Sequence, residues 1–141
     1  ELAKAITTEI RKGNRIDTTT KLRNVIEKTL DFLPNNKEKK DIIKKTCQRT
    51  FQALRIDVNN EFEVLYEFME KLPGALKPGG RVAILTFHSG EDKLVKKALK
   101  AGYKEGIYSE YARDVVRPSA QECAQNGRAR STKMRWAVKA E

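Results

Sequence analysis

The 141-residue sequence predicts an α/β fold in which about three strands of an open sheet follow a helical segment. Three observations support this prediction. The first half of the chain repeats apolar residues at helical spacing. A continuous apolar run at 81–87 is typical of a buried strand, and another helical pattern follows it. Two later stretches with aromatic and β-branched residues predict the remaining strands.

Four helices are predicted in the first half, at residues 2–12, 16–34, 37–55 and 58–72. Residues 17–19 provide N-cap candidates for the second of them. The fourth has the most regular spacing, so its apolar stripe should face the core. That stripe consists of Val58, Phe62, Leu65, Met69 and Leu72.

A turn over residues 73–81 separates the last of these helices from the apolar strand. It contains Gly79 and Gly80, but a phosphate-binding loop follows a strand and opens a helix. This glycine pair does the reverse, so it predicts only a turn. The strand at 81–87 is apolar throughout, which predicts burial on both of its faces.

The second half continues with a helix at 90–101, one strand or a broken pair at 103–116, and a short helix at 119–126. Ser119 is the predicted N-cap of the short helix. A final strand is predicted at 132–140. Met134, Trp136 and Val138 alternate on one face of it. Trp136 is predicted to lie in the core, with stacking on a base as the alternative.

The composition restricts the partners of the chain. Lys and Arg number 29 against 19 acids, which gives a net charge of +10 and a pI near 9.7. This surplus favours a polyanionic partner, most often nucleic acid, although a basic surface also serves solubility. No apolar run approaches the roughly 20 residues of a membrane span, so no membrane partner is predicted. Two distant cysteines and one histidine do not form a ligand cluster, so no metal site is predicted.

Residues 87–92 (FHSGED) lie where the strand meets the next helix, and ligands of open α/β sheets bind beyond the carboxyl ends of strands. Ser89 is predicted to cap this helix by accepting from the N–H of Asp92. Glu91 and Asp92 suit the positive end of the helix dipole. His88 has three interpretations: a base, a ring that stacks on a nucleobase, or a structural residue. A Ser–His hydrolase is not predicted, because adjacent side chains on extended backbone point in opposite directions.

The basic C-terminal stretch predicts contacts with RNA phosphates. Residues 128–139 include five basic residues and no acid. Arg128 and Arg130 suit bidentate phosphate contacts, and Ser131 and Lys133 add further donors.

Three long segments also carry a resemblance: 50-TFQALRIDVNNEF-62, 78-PGGRVAILTFHSGEDKLVKK-97 and 126-NGRARSTKMRWA-137. Together they resemble the MraW-type (RsmH) family of S-adenosylmethionine-dependent methyltransferases. The segment 2-LAKAITTEIRKGNRIDTTTKLRNVI-26 is similar to that family's helical insert. The family methylates N4 of a cytidine in the decoding region of small-subunit ribosomal RNA.

The resemblance implies the C-terminal half of a Rossmann-like methyltransferase sheet, preceded by part of a helical insert. Residues 1–48 would be the partial substrate-recognition insert, and residues 49–141 the C-terminal part of the methyltransferase domain. The Gly-rich loop that binds S-adenosylmethionine would lie upstream of Glu1, so the cofactor-binding residues are not identified. The cofactor would serve the parent enzyme, and we do not expect it to bind this chain tightly.

The same resemblance implies roles for individual residues at the edge of a pocket for the target cytosine. Gly90 and Gly127 depart from the family pattern and are expected to loosen the segments around them. The implied catalytic set is His88, Ser89, Glu91 and Asp92. The implied substrate- and RNA-binding residues are Arg55, Asn59, Phe87, Arg128, Arg130, Ser131 and Lys133.

The implied partner is ribosomal RNA of the small subunit, and the implied location is intracellular, in the cytoplasm or in an organelle with its own ribosomes. The chain by itself is expected to be inactive, because the donor loop is not in it. Two alternatives remain open. One is a non-catalytic RNA-binding module derived from the family. The other is a scaffold that pairs with a separate donor-binding chain through its exposed sheet edge, an edge that also allows self-association.

Overall fold

The computed structural model describes residues 1–141 and confirms the predicted α/β class with three strands. None of its helices combines the length and the apolarity needed to cross a membrane. The elements are α1 (Leu2–Arg11), α2 (Thr19–Thr29), α3 (Lys37–Asn59), α4 (Glu61–Ala75), β1 (Arg81–Thr86), α5 (Ser89–Lys104), β2 (Tyr108–Tyr111), α6 (Ala120–Gln125), a 3-10 helix (Gly127–Ser131) and β3 (Lys133–Lys139).

The chain divides into two compact units, unit 1 (Glu1–Asn59) and unit 2 (Asn60–Glu141). The boundary expected after residue 48 falls inside α3, which is one continuous helix. Asn60 separates α3 from α4 with a left-handed backbone (φ 49°), a conformation that asparagine tolerates better than most residues. The helix predicted at 58–72 is therefore split, and Val58 ends up on α3 with 77% of its surface exposed.

Unit 1 consists of three helices. Thr18 is the N-cap of α2, as its sequence position predicts, and its hydroxyl accepts from the N–H of Lys21 at 3.2 Å. Leu22 and Ile26, one turn apart on α2, are the buried residues of this unit. Asn36 accepts from the N–H of Lys39 at 2.9 Å and so begins α3.

Unit 2 is built on a three-stranded sheet in the order β1-β3-β2, with β3 antiparallel to both neighbours. α4 and α5 contribute to one hydrophobic core on one face of this sheet. The buried members of that core are Met69, Leu72, Val95, Leu99, Tyr108 and Ala137. Because α5 directly follows β1, the C-terminal end of β1 is placed beside this core.

The prediction that β1 is buried on both faces is wrong. Its residues alternate between exposed and covered, and Leu85 is 57% exposed. Val82 and Ile84 pack against the core, whereas Leu85 belongs to the opposite face. The physical reason is that both core helices cover the same side of the sheet, which leaves the other side of β1 open.

The inward face of β3 also differs from the prediction. The structure buries Arg135 and Ala137, while Trp136 is only partly covered. A period of two residues identifies two alternating faces but not which of them is inward. Here the arginine side chain finds a carboxylate on the covered side, so the face with the charge is the buried one.

Gly79 and Gly80 form the predicted turn between α4 and β1. Gly79 has a left-handed backbone (φ 70°), and the N–H of Gly80 donates to Lys77 O at 2.8 Å. The N–H of Gly79 donates to Lys139 O at 3.1 Å, which joins the turn to the end of β3. Both glycine N–H groups are therefore already used.

The C-terminal end of α5 packs closely on β2. A Cβ atom on Gly102 would lie 2.7 Å from two ring carbons of Tyr108, whose side chain is buried. Only glycine leaves room for that ring at this position. The N–H of Ile107 donates to Gly102 O at 2.8 Å and fixes the turn from helix to strand.

Candidate active site

The β1–α5 junction, residues 87–92, places the only histidine of the chain at the start of a helix. His88 is the N-cap of α5, with extended backbone (φ −140°, ψ 164°). Its Nδ1 accepts hydrogen bonds from the backbone N–H groups of Gly90 (3.2 Å) and Glu91 (3.4 Å). The predicted cap by Ser89 is wrong, because Ser89 is already the exposed first residue of α5.

Glu91 closes this cap from the other side. Its Oε2 accepts from the N–H of Phe87 at 3.1 Å, and its Oε1 lies 3.3 Å from Nε2 of His88. A glutamate that folds back from the first turn to the residues before the helix acts as in a capping box. Two side chains thus satisfy three backbone N–H groups at the junction.

The hydrogen bonds to Nδ1 fix where the His88 ring carries its proton. An imidazole nitrogen that accepts hydrogen bonds has no proton, so the neutral ring carries its proton on Nε2. Nε2 is buried, and its 3.3 Å approach to Glu91 lacks hydrogen-bond geometry. In this geometry the neutral ring is a donor at Nε2 and is not poised to act as a base there.

Three metal-ligating groups also meet at the junction. Donor atoms of Glu61, His88 and Glu91 lie within 4.8 Å of one another. A metal on Nε2 would require the ring proton to move to Nδ1, toward which two backbone N–H groups already point. Capping and metal ligation are therefore mutually exclusive uses of this ring. The expected absence of a metal stays a prediction, and the capping geometry favours it.

Asp92 forms a buried ion pair with Arg135 of β3. Nε of Arg135 donates to Oδ1 at 2.7 Å and Nη2 donates to Oδ2 at 3.2 Å. The side chain of Arg135 is 6% exposed and that of Asp92 is 12% exposed. The hydrogen bonds from Arg135 lower the pKa of Asp92 against the opposing effect of burial, and the charges of Lys133 and Arg117 add to the lowering. The pair ties the start of α5 to the central strand of the sheet.

Arg135 is the site residue that sequence reasoning missed. The available signal was an arginine inside a mostly apolar strand, because a buried charge requires a partner. Asp92, in the first turn of the helix after the apolar strand, was the natural candidate for that partner. Both carboxylate oxygens of Asp92 are used by this contact, and its catalytic role stays a prediction.

Phe62 packs over the capped junction, and Gly90 makes room for it. A Cβ atom on Gly90 would lie 2.8 Å from Cζ of Phe62 and 3.2 Å from Cε1 of His88. The rings of Phe62 and His88 meet edge to face, with centroids 5.8 Å apart. Gly90 therefore allows tight packing here, where the sequence suggested loosening. Gly127, by contrast, has no atom within 4 Å of its Cβ position.

The predicted RNA contacts lie on the segment that leads into β3. Arg128, Arg130 and Ser131 are exposed on the 3-10 helix, and the buried Ala129 anchors that helix. Asn126 begins it by accepting from the N–H of Arg128 at 3.1 Å. These side chains are thus presented to solvent from an anchored turn.

Two residues of the junction are open to solvent, and a lysine that is predicted to contact RNA lies near them in the sheet. Phe87 is 57% exposed and Ser89 is exposed. Lys133 pairs with Thr86 in the β1–β3 register, so it begins β3 next to the junction. Lys133 therefore lies opposite Thr86, the residue before Phe87.

Arg55 and Asn59 lie one helical turn apart on the last part of α3, in unit 1. Their predicted contribution to the same cleft as the junction stays a prediction.

Comparison with known proteins adds three relatives. "Ribosomal RNA small subunit methyltransferase H 1" of Agathobacter rectalis is 89% identical over 141 residues, which are 100% of this chain and 40% of that protein. The protein of that name from Lachnoclostridium phytofermentans is 69% identical over 140 residues, 99% of this chain and 38% of that protein. "Ribosomal RNA small subunit methyltransferase H 2" of Acholeplasma laidlawii is 50% identical over 139 residues, 99% and 40% of the two chains.

The chain thus spans 38% to 40% of the length of these curated relatives. The MraW methylase family matches residues 1–140, nearly the whole of the chain. The resemblance stated from the three sequence segments is confirmed by this match: the chain belongs to the MraW methylase family.

Proposed function

We propose that the protein containing this chain is an S-adenosylmethionine-dependent methyltransferase that modifies N4 of a cytidine in small-subunit ribosomal RNA. The chain provides the side of the active site that receives the target base. The observation that carries this proposal is an exposed aromatic ring, Phe87, at a rigidly capped helix start in a member of the MraW methylase family. The reaction takes place inside cells, in the cytoplasm or in an organelle with its own ribosomes.

The target base must leave its stack before its amine can react. Phe87 offers an apolar face to such a base, and stacking on aromatic side chains is a common way to hold unpaired bases. The exposed hydroxyl of Ser89 lies two residues further on and can donate to or accept from the edge of the base. These two residues position the cytosine.

Methyl transfer to an exocyclic amine releases one proton, which a side chain or water must accept. Three junction residues were candidates. His88 already carries its proton on Nε2, and Asp92 uses both oxygens on Arg135. Glu91 keeps Oε1 without a hydrogen-bonded donor. We therefore assign the amine contact to Glu91, whose other oxygen is held by the N–H of Phe87.

The one glycine pair of the chain does not fit the methyl donor. Gly79 and Gly80 open a strand, and their N–H groups already bond to Lys139 and Lys77. S-Adenosylmethionine would supply the methyl group when bound by the parent enzyme, and the residues of this chain act on the acceptor base.

The RNA around the target is held by cations outside the junction. Arg128, Arg130, Ser131 and Lys133 contact phosphates from the segment before and at the start of β3. The helical segment 1–48 serves in substrate recognition, and residues 49–141 form the C-terminal part of the methyltransferase domain. The remaining RNA contacts are assigned to Arg55 and Asn59.

The test is a methylation assay with the protein as its gene encodes it. With labelled S-adenosylmethionine and small-subunit ribosomal RNA, we expect label in RNA and N4-methylcytidine in its nuclease digest. RNA binding without transfer would instead support the non-catalytic RNA-binding module. Transfer to a different base or position would contradict the N4 assignment.

We also propose that β1 supports self-association of the isolated chain. β1 pairs with β3 on one side only, and its opposite edge is unpaired within these 141 residues. Open edges pair readily with other strands. Light scattering on the isolated chain should give a dimer mass that falls when proline replaces Ala83; a monomer at all concentrations would refute the proposal.

A further inference from the structure

α5 carries a stripe of five lysines on its solvent side. At 3.6 residues per turn, these lysines fall within an arc of about 100°. The buried residues Val95 and Leu99 lie on the opposite side of the helix. All five are exposed, and they are Lys93, Lys96, Lys97, Lys100 and Lys104.

No acid neutralises this lysine stripe. Between Asp92 and Glu105 the sequence has no Asp or Glu. Asp92 itself is committed to Arg135, and none of the five lysines takes part in an ion pair. The stripe is therefore a block of five unbalanced positive charges on one rigid element.

The stripe begins directly after the β1–α5 junction, at Lys93, and runs about 16 Å away from it along the helix. We propose that the lysine stripe binds the phosphate backbone of the RNA that flanks the target nucleotide. This inference rests on the proposed RNA substrate. Lysines about one turn apart, roughly 5.4 Å, present point charges along a line, as a phosphate backbone requires. A nucleotide held at Phe87 would have its neighbouring phosphates above this line.

An RNA backbone fits the stripe better than a membrane surface does. A helix that lies in a membrane interface inserts an apolar face. The apolar face of α5 is unavailable, since Val95 and Leu99 have no exposed surface. The lysine charges are exposed, but no apolar face of α5 is free to insert into lipid beside them.

The experiment neutralises the part of the stripe far from the junction. In the protein as its gene encodes it, the triple variant Lys96→Gln, Lys100→Gln, Lys104→Gln should bind small-subunit ribosomal RNA with a weaker salt dependence. Each lost phosphate contact lowers the slope of log K against log salt by about 0.7–0.9, so we expect a loss of about 2–3. The KM for RNA should rise while kcat stays the same.

A matched control removes the same number of positive charges elsewhere in unit 2. Lys71→Gln, Lys77→Gln, Arg113→Gln alters three exposed cations outside the stripe, and its slope should remain close to that of the unmodified protein. An equal loss in both variants, or no loss in the stripe variant, overturns the inference. The inference is also overturned if the stripe variant loses binding only to vesicles of anionic lipid and keeps its binding to RNA. If the unmodified protein binds RNA with the expected slope but transfers no methyl group, the proposed function fails while the stripe stands.

Discussion

Replacing Arg135 with methionine is expected to lower the free energy of unfolding by about 3–5 kcal/mol, because it leaves the carboxylate of Asp92 buried without its partner. Breaking a buried pair from one side costs far more than the net value of the pair. Denaturant unfolding of the protein, followed by circular dichroism, measures this loss. Arg135→Lys keeps the positive charge but loses the bidentate contact with the carboxylate. Its free energy of unfolding should therefore lie between those of the unmodified protein and Arg135→Met.

The double variant Asp92→Leu, Arg135→Met measures how strongly the two side chains are coupled. Removing both charges leaves no unpaired group, so the double variant should be more stable than Arg135→Met alone. Additive losses from the two single changes would show that the two side chains are not coupled.

The same pair predicts how stability depends on pH. The pKa of Asp92 is lower in the folded protein than in the unfolded chain, because Arg135 favours the charged carboxylate. Its contribution is fully present above the unfolded value, about 3.9, and is lost as the pH falls through the lower folded value. Between about pH 6 and about pH 3, the unmodified protein should lose more unfolding free energy than Arg135→Met. Equal losses would exclude Asp92 as a source of acid sensitivity.

Replacing Phe87 with alanine is expected to reduce kcat/KM for RNA methylation by roughly 10- to 100-fold. Stacking of one base on an aromatic ring is worth about 1–3 kcal/mol, and each 1.4 kcal/mol is a factor of ten. Phe87 is 57% exposed, so stability should change little. The measurement is steady-state methylation of small-subunit ribosomal RNA by the protein as its gene encodes it.

Two variants control for this change. Phe87→Tyr keeps the ring and should keep most of the activity. Phe68→Ala removes an aromatic side chain that is 47% exposed on α4, away from the junction, and should leave methylation unchanged. If Phe87→Ala retains full activity while folding normally, Phe87 does not stack on the target base.

Helices α1, α2 and α5, the glycine turn and the final strand were predictable, because each combines regular apolar spacing with local turn or cap signals. The division at Asn60 was not. The apolar stripe continues from Val58 to Phe62 at helical spacing, and nothing in that spacing requires the left-handed residue between them.

Sequence reasoning located the β1–α5 junction but not its internal geometry. It gave the cap to Ser89 because hydroxyls are the commoner N-caps, whereas the structure uses the ring nitrogen of His88. It also left Arg135 out, since the choice of inward face on β3 depends on a residue of α5 that is 43 positions away. An arginine inside a mostly apolar strand indicates that a partner is needed, but the local sequence does not say which face of the strand turns inward.

Contacts at both ends of α5 hold this helix to the sheet. Asp92 is fastened to Arg135 at one end, and Gly102 is seated against the ring of Tyr108 at the other. If Phe87 stacks on the target base as proposed, that base lies beside a helix start that the Asp92–Arg135 ion pair joins to β3. The position of the proposed base-stacking residue is therefore expected to depend on Arg135, which lies on the central strand of the sheet.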